Sequence, residues 1–188
     1  MICCARIRKS APTIKQSDLP PPPVLPDLLT PGLRVVFCGT APGTVSAAKG
    51  AYYAHPHNRF WPTLHAVGLT PRQLAPEEFA LLATWRIGLT DIAKTAYGMD
   101  RQLPRQSLGR DACDALHARI DACQPNLLAF TSLTAGRKFL GRLAGFGEQA
   151  ERIGRARIWL LPSPSPAAQW NWDERWWRDL AAAALALK

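Results

Sequence analysis

Val35-Val36-Phe37-Cys38-Gly39-Thr40-Ala41-Pro42-Gly43 is an apolar run that breaks into a glycine and proline turn. A short apolar run bounded by turn residues reads as a fully buried strand, here over residues 33–38. The turn then sits at the carboxyl edge of a sheet, where open α/β folds place their ligands. Working outward, Tyr52-Tyr53-Ala54-His55-Pro56-His57-Asn58-Arg59-Phe60-Trp61 is rich in aromatics that can wall a flat pocket. Far downstream, Trp159-Leu160-Leu161-Pro162-Ser163-Pro164-Ser165-Pro166 repeats the pattern of apolar strand and stiff, small-residue loop. Two such loops facing each other across one sheet edge can grip a planar heterocycle.

Periodicity supplies the other elements. Residues 86–89, 126–131 and 157–161 read as strands, the first of which delivers Thr90 and Asp91 to a loop. Residues 58–67 read as a helix with Asn58 as its N-cap, and residues 75–83 as a second, with Pro76, Glu77 and Glu78 suited to its first turn. An amphipathic helix is predicted over 111–123, with Cys113, Leu116, Ile120 and Cys123 on one face. Two more helices are predicted over 134–143 and 173–187. Strands that alternate with helices imply a parallel sheet covered on both faces, and so an α/β fold.

Residues 1–31 are read as a proline-rich N-terminal tail, or a strap over the domain, and residues 32–188 as one folded domain. The run Leu19-Pro20-Pro21-Pro22-Pro23 cannot form a helix or a sheet interior and favours extended polyproline geometry. A chain of 188 residues can bury a substantial core without disulfides. Its 23 Lys and Arg against 14 Asp and Glu give a net charge of +9, which points to an anionic partner such as nucleic acid. The five cysteines include no CxxC pair and read as reduced thiols rather than metal ligands. No membrane span and no signal peptide is recognisable, so a cytoplasmic protein without membrane contact is expected.

Together, Gly39-Thr40-Ala41-Pro42-Gly43, Ala54-His55-Pro56-His57-Asn58-Arg59-Phe60-Trp61 and Leu161-Pro162-Ser163-Pro164-Ser165 resemble the mismatch-specific uracil-DNA and thymine-DNA glycosylase branch of the uracil-DNA glycosylase superfamily. The resemblance runs from about Leu33 to the C-terminus. It implies a three-layer α/β/α sandwich around a four-stranded, mainly parallel sheet. It also implies a monomeric, cofactor-free and metal-free enzyme that cuts the N-glycosidic bond of damaged bases in double-stranded DNA. Such an enzyme must swing the base out of the duplex into a pocket that reads its edge and stacks on its face.

Residue by residue, the resemblance places Tyr53 as the stacking aromatic. Thr40, Ala41, Pro42, Gly43 and Ser163 then contact the base edge. The loop of Pro164, Ser165, Pro166, Ala167 and Gln169 corresponds to the element that enters the minor groove. Ala167 stands where relatives often carry a bulky apolar wedge; its methyl group props the stack open poorly, so Gln169 or a neighbouring side chain is expected to do more of that work. Lys49, Arg59 and Arg137 are candidate phosphate contacts. The four tryptophans Trp170, Trp172, Trp176 and Trp177 are expected to pack the last helix on the sheet.

One departure bears on mechanism. Relatives usually hold a water-orienting asparagine at the third position of the first loop, and here it is Ala41. The candidate substitute is Asp91, a carboxylate at a strand end, able to stabilise positive charge on the sugar and to act as general base. Losing the asparagine also removes a contact that polices the base, so a broadened substrate range is expected. No lysine stands obviously placed for a Schiff base, which implies a monofunctional enzyme. The competing expectation is a non-catalytic module that binds uracil-containing or damaged DNA. A third, a nucleotide or phosphate binder, lacks the lysine and glycine spacing of phosphate loops.

Overall fold

The computed structural model describes residues 21–187, and the part of the proline-rich segment before them lies outside the described residues. Five strands form one sheet in the order β2-β1-β3-β5-β4: β1 (Val35–Gly39), β2 (Ile87–Asp91), β3 (Leu127–Phe130), β4 (Gly147–Ile153) and β5 (Ala156–Leu160). All pairings are parallel except β4 with β5. The four strands read from the sequence are all present. The fifth, β4, was not expected; it is an antiparallel edge strand of sequence Gly-Glu-Gln-Ala-Glu-Arg-Ile in which only Gly147 and Ile153 are buried. Because it is largely wet, it carries no apolar run to announce it.

Helices cover both faces. Phe60, Leu64, Trp177 and Leu180 pack on one side of the sheet with Phe37 and Leu89. On the other side Leu116 and Ile120 pack with Val36, Cys38, Leu128 and Phe130. The first group comes from α2 (Phe60–Ala66) and α5 (Arg175–Leu185), the second from α3 (Arg110–Cys123). The predicted apolar face of α3 is the face that is buried: Cys113, Leu116, Ile120 and Cys123. The N-cap of α2 is Arg59, one residue later than expected; Asn58, just before it, accepts a hydrogen bond from Phe60 N at 2.9 Å. The segment Pro76–Trp85 is a 3₁₀ helix, its start closed by Ala75 N donating to Glu78 Oε2 at 2.8 Å.

A short helix, α1 (Thr44–Lys49), follows the β1 loop, and α4 (Leu133–Leu140) follows β3. Both arise directly from the carboxyl ends of strands, which fixes the sheet edge where loops gather.

Residues 21–31 form a strap. Val24 N donates to Lys94 O, Leu28 forms an antiparallel bridge with Leu89, and Leu25 is buried in the core. It therefore covers the open edge of β2, which would otherwise present unpaired backbone groups. The sequence placed the start of the folded body near Gly32 because prolines dominate here; the packing begins at least as early as Val24.

Candidate active site

The chain order around the sheet reverses at β1, with β2 on one side and β3 on the other. That is a topological switch point, where the loops leaving neighbouring strands part and open a crevice. A cavity of about 760 Å³ lies there, within the range of small-ligand pockets. Its walls come from four strand ends. Thr40, Ala41, Pro42 and Gly43 follow β1, Asp91 ends β2, Thr131 and Ser132 follow β3, and Ser163, Pro164, Ser165, Pro166 and Ala167 follow β5. Tyr53 and His55 add the aromatic segment, so the three sequence motifs do converge.

The β1 loop is held rigid by its own carbonyls. Gly39 O, Thr40 O and Pro42 O accept from Ile92 N, Ala93 N and Gly98 N at 3.0, 2.9 and 2.8 Å. The opposite loop is pinned twice, by Arg59 N donating to Pro164 O at 2.9 Å and Trp177 Nε1 donating to Pro162 O at 3.1 Å. Ser165 Oγ accepts from Ala167 N and starts a short 3₁₀ helix, Pro166–Asn171.

Tyr53 has a left-handed backbone, φ 52°, which a bulky residue adopts only under constraint. The constraint is visible on both sides: Trp61 Nε1 donates to Tyr52 O at 3.1 Å and Ala54 N donates to Ser46 Oγ at 3.0 Å. One ring face stacks on Phe60, with centroids 3.9 Å apart and planes 18° from parallel. The phenol lies 3.1 Å from Thr131 Oγ1, and burial pushes its ionisation well above the ordinary tyrosine value, so it stays protonated.

Asp91 pairs in register with Gly39 and is only 3% exposed, yet it lines the cavity. Its Oδ2 is buried and has no hydrogen-bond partner among the described residues. Burial pushes its carboxyl up from 3.8 to about 7; nearby Lys94 and Arg119 pull it down, and Asp27 pushes it up. Gly39 is what admits it: a Cβ there would collide with Asp91 Oδ1. A carboxyl half-ionised near neutrality, at the floor of a cavity, is suited to taking a proton from water.

Other expected residues sit elsewhere. Lys49 is exposed on α1, 3.5 Å from Glu77. The Arg59 guanidinium lies 5.2 Å over the ring of Trp172, with its Nη1 buried. Arg137 donates from Nε to Ala144 O at 2.9 Å. Gln169 is exposed and, like Lys49 and Arg59, lies outside the cavity lining. His57 N donates to His55 Nδ1 at 3.1 Å, the loop-fixing role that their spacing around Pro56 allows.

The expectation for the tryptophans holds only in part. Trp177 is fully buried, but Trp170 is 83% exposed on the 3₁₀ helix after Pro166. Trp170 lines a smaller hollow that shares Ser132, Thr134, Ser163 and Ala168 with the main cavity. The sequence signal was present in the pattern of the loop, since Trp170 precedes the periodic part of the last helix. Asp100 and Arg101 also line the cavity, brought there by a long loop with no local motif.

The α/β fold thus carries, at its switch point, a pocket walled by aromatic side chains with a buried carboxyl among its lining residues. The chain belongs to the uracil DNA glycosylase superfamily, whose family model matches residues 26–186. It is thus of the class of DNA glycosylases, hydrolases of base-excision repair that act on DNA.

Proposed function

We propose that this glycosylase hydrolyses the N-glycosidic bond of uracil everted from double-stranded DNA, chiefly from mismatched pairs, with tolerance of other damaged bases, and that Asp91 carries the hydrolysis. The supporting observation is the Asp91 carboxyl itself, buried at the pocket floor with an unpartnered Oδ2, opposite a loop in which Ala41 cannot polarise water.

The everted base stacks on Tyr53, whose ring is backed by Phe60, while its edge meets Ser163 and the loop from Thr40 to Gly43. As the C1′–N bond breaks, its electron pair leaves with the base, and positive charge grows on the sugar. Ionised Asp91 stabilises that charge and takes a proton from the attacking water, whose oxygen bonds to C1′. The departing base takes a proton from solvent. With Ala41 in place of a carboxamide, fewer polar groups inspect the base edge, which favours a broad substrate range.

Lys94 supports a monofunctional reaction, because its ammonium is held by Asp27 Oδ1 at 2.6 Å and Leu25 O at 2.9 Å. Trp170 supplies the bulk that Ala167 lacks and fills the gap left in the base stack.

The test is base release from uracil-containing duplexes, read as strand breaks after alkali, by wild type, Asp91→Asn and Asp91→Ala. Loss of breaks with duplex binding retained is expected. Full turnover by either variant would refute the role of Asp91, and borohydride trapping of a covalent DNA adduct would refute the monofunctional reaction.

A further inference from the structure

The strap brings a carboxylate of its own to the edge of β2. Asp27 Oδ1 accepts from Thr90 Oγ1 and from Lys94 Nζ, each at 2.6 Å, and Asp27 Oδ2 lies 3.3 Å from Arg119 Nε. Arg119 in turn donates from Nη2 to the backbone carbonyl of Asp91 at 2.9 Å. The side chains of Asp27, Lys94 and Arg119 are each less than a quarter exposed, so the charges act through a poorly screened medium. No part of the reaction above uses Asp27.

We propose that Asp27 is a positioning residue for the active site: it clamps Lys94 and Arg119 at the edge of β2, and so leaves Asp91 facing the cavity without a cationic partner. The proposal rests on the reading of Asp91 as the reacting carboxylate. Lys94 and Arg119 are two positive charges beside that carboxyl, and Asp27 reduces their sum to one. Were they uncompensated, they would hold Asp91 ionised and weakly basic, a poor acceptor for a water proton. The geometry achieves compensation with a segment outside the sheet, tied down by Val24 N to Lys94 O and by Tyr52 Oη donating to Pro26 O at 3.2 Å.

The other titratable groups around Asp91 do not provide this compensation. Cys38 on β1 is buried, its thiol pushed well up by burial first and by Asp91 second. Tyr52 and Tyr53 are likewise held protonated, chiefly by burial. All three are neutral at physiological pH, which leaves Asp27, Lys94 and Arg119 as the charges that act on Asp91 among the described residues. Asp27 raises the Asp91 carboxyl, whereas Lys94 and Arg119 lower it.

The experiment follows the Asp91 carboxyl directly, by its ¹³C resonance against pH, in the full chain and in Asp27→Asn and Lys94→Met. Removing Asp27 should lower the Asp91 midpoint by about one pH unit, and removing Lys94 should raise it, with the acid limb of kcat/KM moving the same way. Asp27→Glu should restore the midpoint. A purely structural strap would lower the melting temperature of Asp27→Asn and leave the midpoint where it was, which would overturn the proposal. If Asp27→Asn does not fold, an unchanged or lowered midpoint in Lys94→Met overturns it equally. Turnover by Asp91→Asn would instead refute the catalytic reading and leave the titration result to stand alone.

Discussion

Replacing Asp91 with asparagine should stabilise the protein increasingly as pH rises. Burial lifts the Asp91 carboxyl from 3.8 to about 7. The folded protein therefore keeps a proton that the unfolded chain releases, and the contribution of Asp91 to stability is fully present below the unfolded value. That contribution is lost as pH rises through about 7, after which both states are ionised and the loss is complete. At about 1.4 kcal/mol per pH unit, the full loss is about 4 kcal/mol. Asparagine does not titrate, and the cost of burying its amide is the same at every pH. The difference between two pH values therefore isolates the carboxyl. Urea unfolding of both proteins at about pH 4 and about pH 8 should show the stability gap between variant and wild type widening, in the variant's favour, by about 4 kcal/mol. In thermal unfolding that is roughly 8–16 °C. A gap that stays constant with pH would refute the claim that Asp91 is held in a low-dielectric floor. The variant that gains this stability is also the one expected to lose turnover.

Because the ionised form takes the proton, kcat/KM for uracil-containing duplex should rise with pH through about 7; a profile already flat at pH 5 would count against it. Gly39→Ala should keep the fold, since the collision is with a side-chain oxygen, yet displace Asp91 and abolish base release; a crystal structure with Asp91 unmoved would refute this. Tyr53→Ala should cost about 1–3 kcal/mol of base stacking, roughly 5- to 150-fold in kcat/KM, whereas Tyr53→Phe keeps the ring and should remain within a few-fold of wild type. Trp170→Ala should weaken duplex binding by a comparable factor without changing the unfolding midpoint, because the indole is 83% exposed; equal affinity would remove it from the DNA interface.

What the sequence disclosed divides along physical lines. β1, β2, β3 and β5 are buried on both faces and so appear as apolar runs, whereas β4 is half wet and appears as a polar segment. The β1 loop, Tyr53, Asp91 and Ser163 were legible because each adjoins such a run or a short motif, and the structure gathers them in one cavity. Asp27 was not legible. It sits among prolines whose composition reads as linker, and its partners Thr90, Lys94 and Arg119 are 63 or more residues away. Trp170 was misplaced because a cluster of four tryptophans looks like core, and only the turn at Pro166 lifts one of them clear.

The contact between Arg59 and Pro164 joins the aromatic wall to the proline and serine wall by a backbone hydrogen bond, and the Arg59 guanidinium over Trp172 fastens the same corner to the turn that precedes the last helix. The two jaws are thereby tied at one corner. On the proposed function, lesions would be sorted by thickness and outline at the threshold, and a wider repertoire of excised bases would come from trimming side chains along the rim.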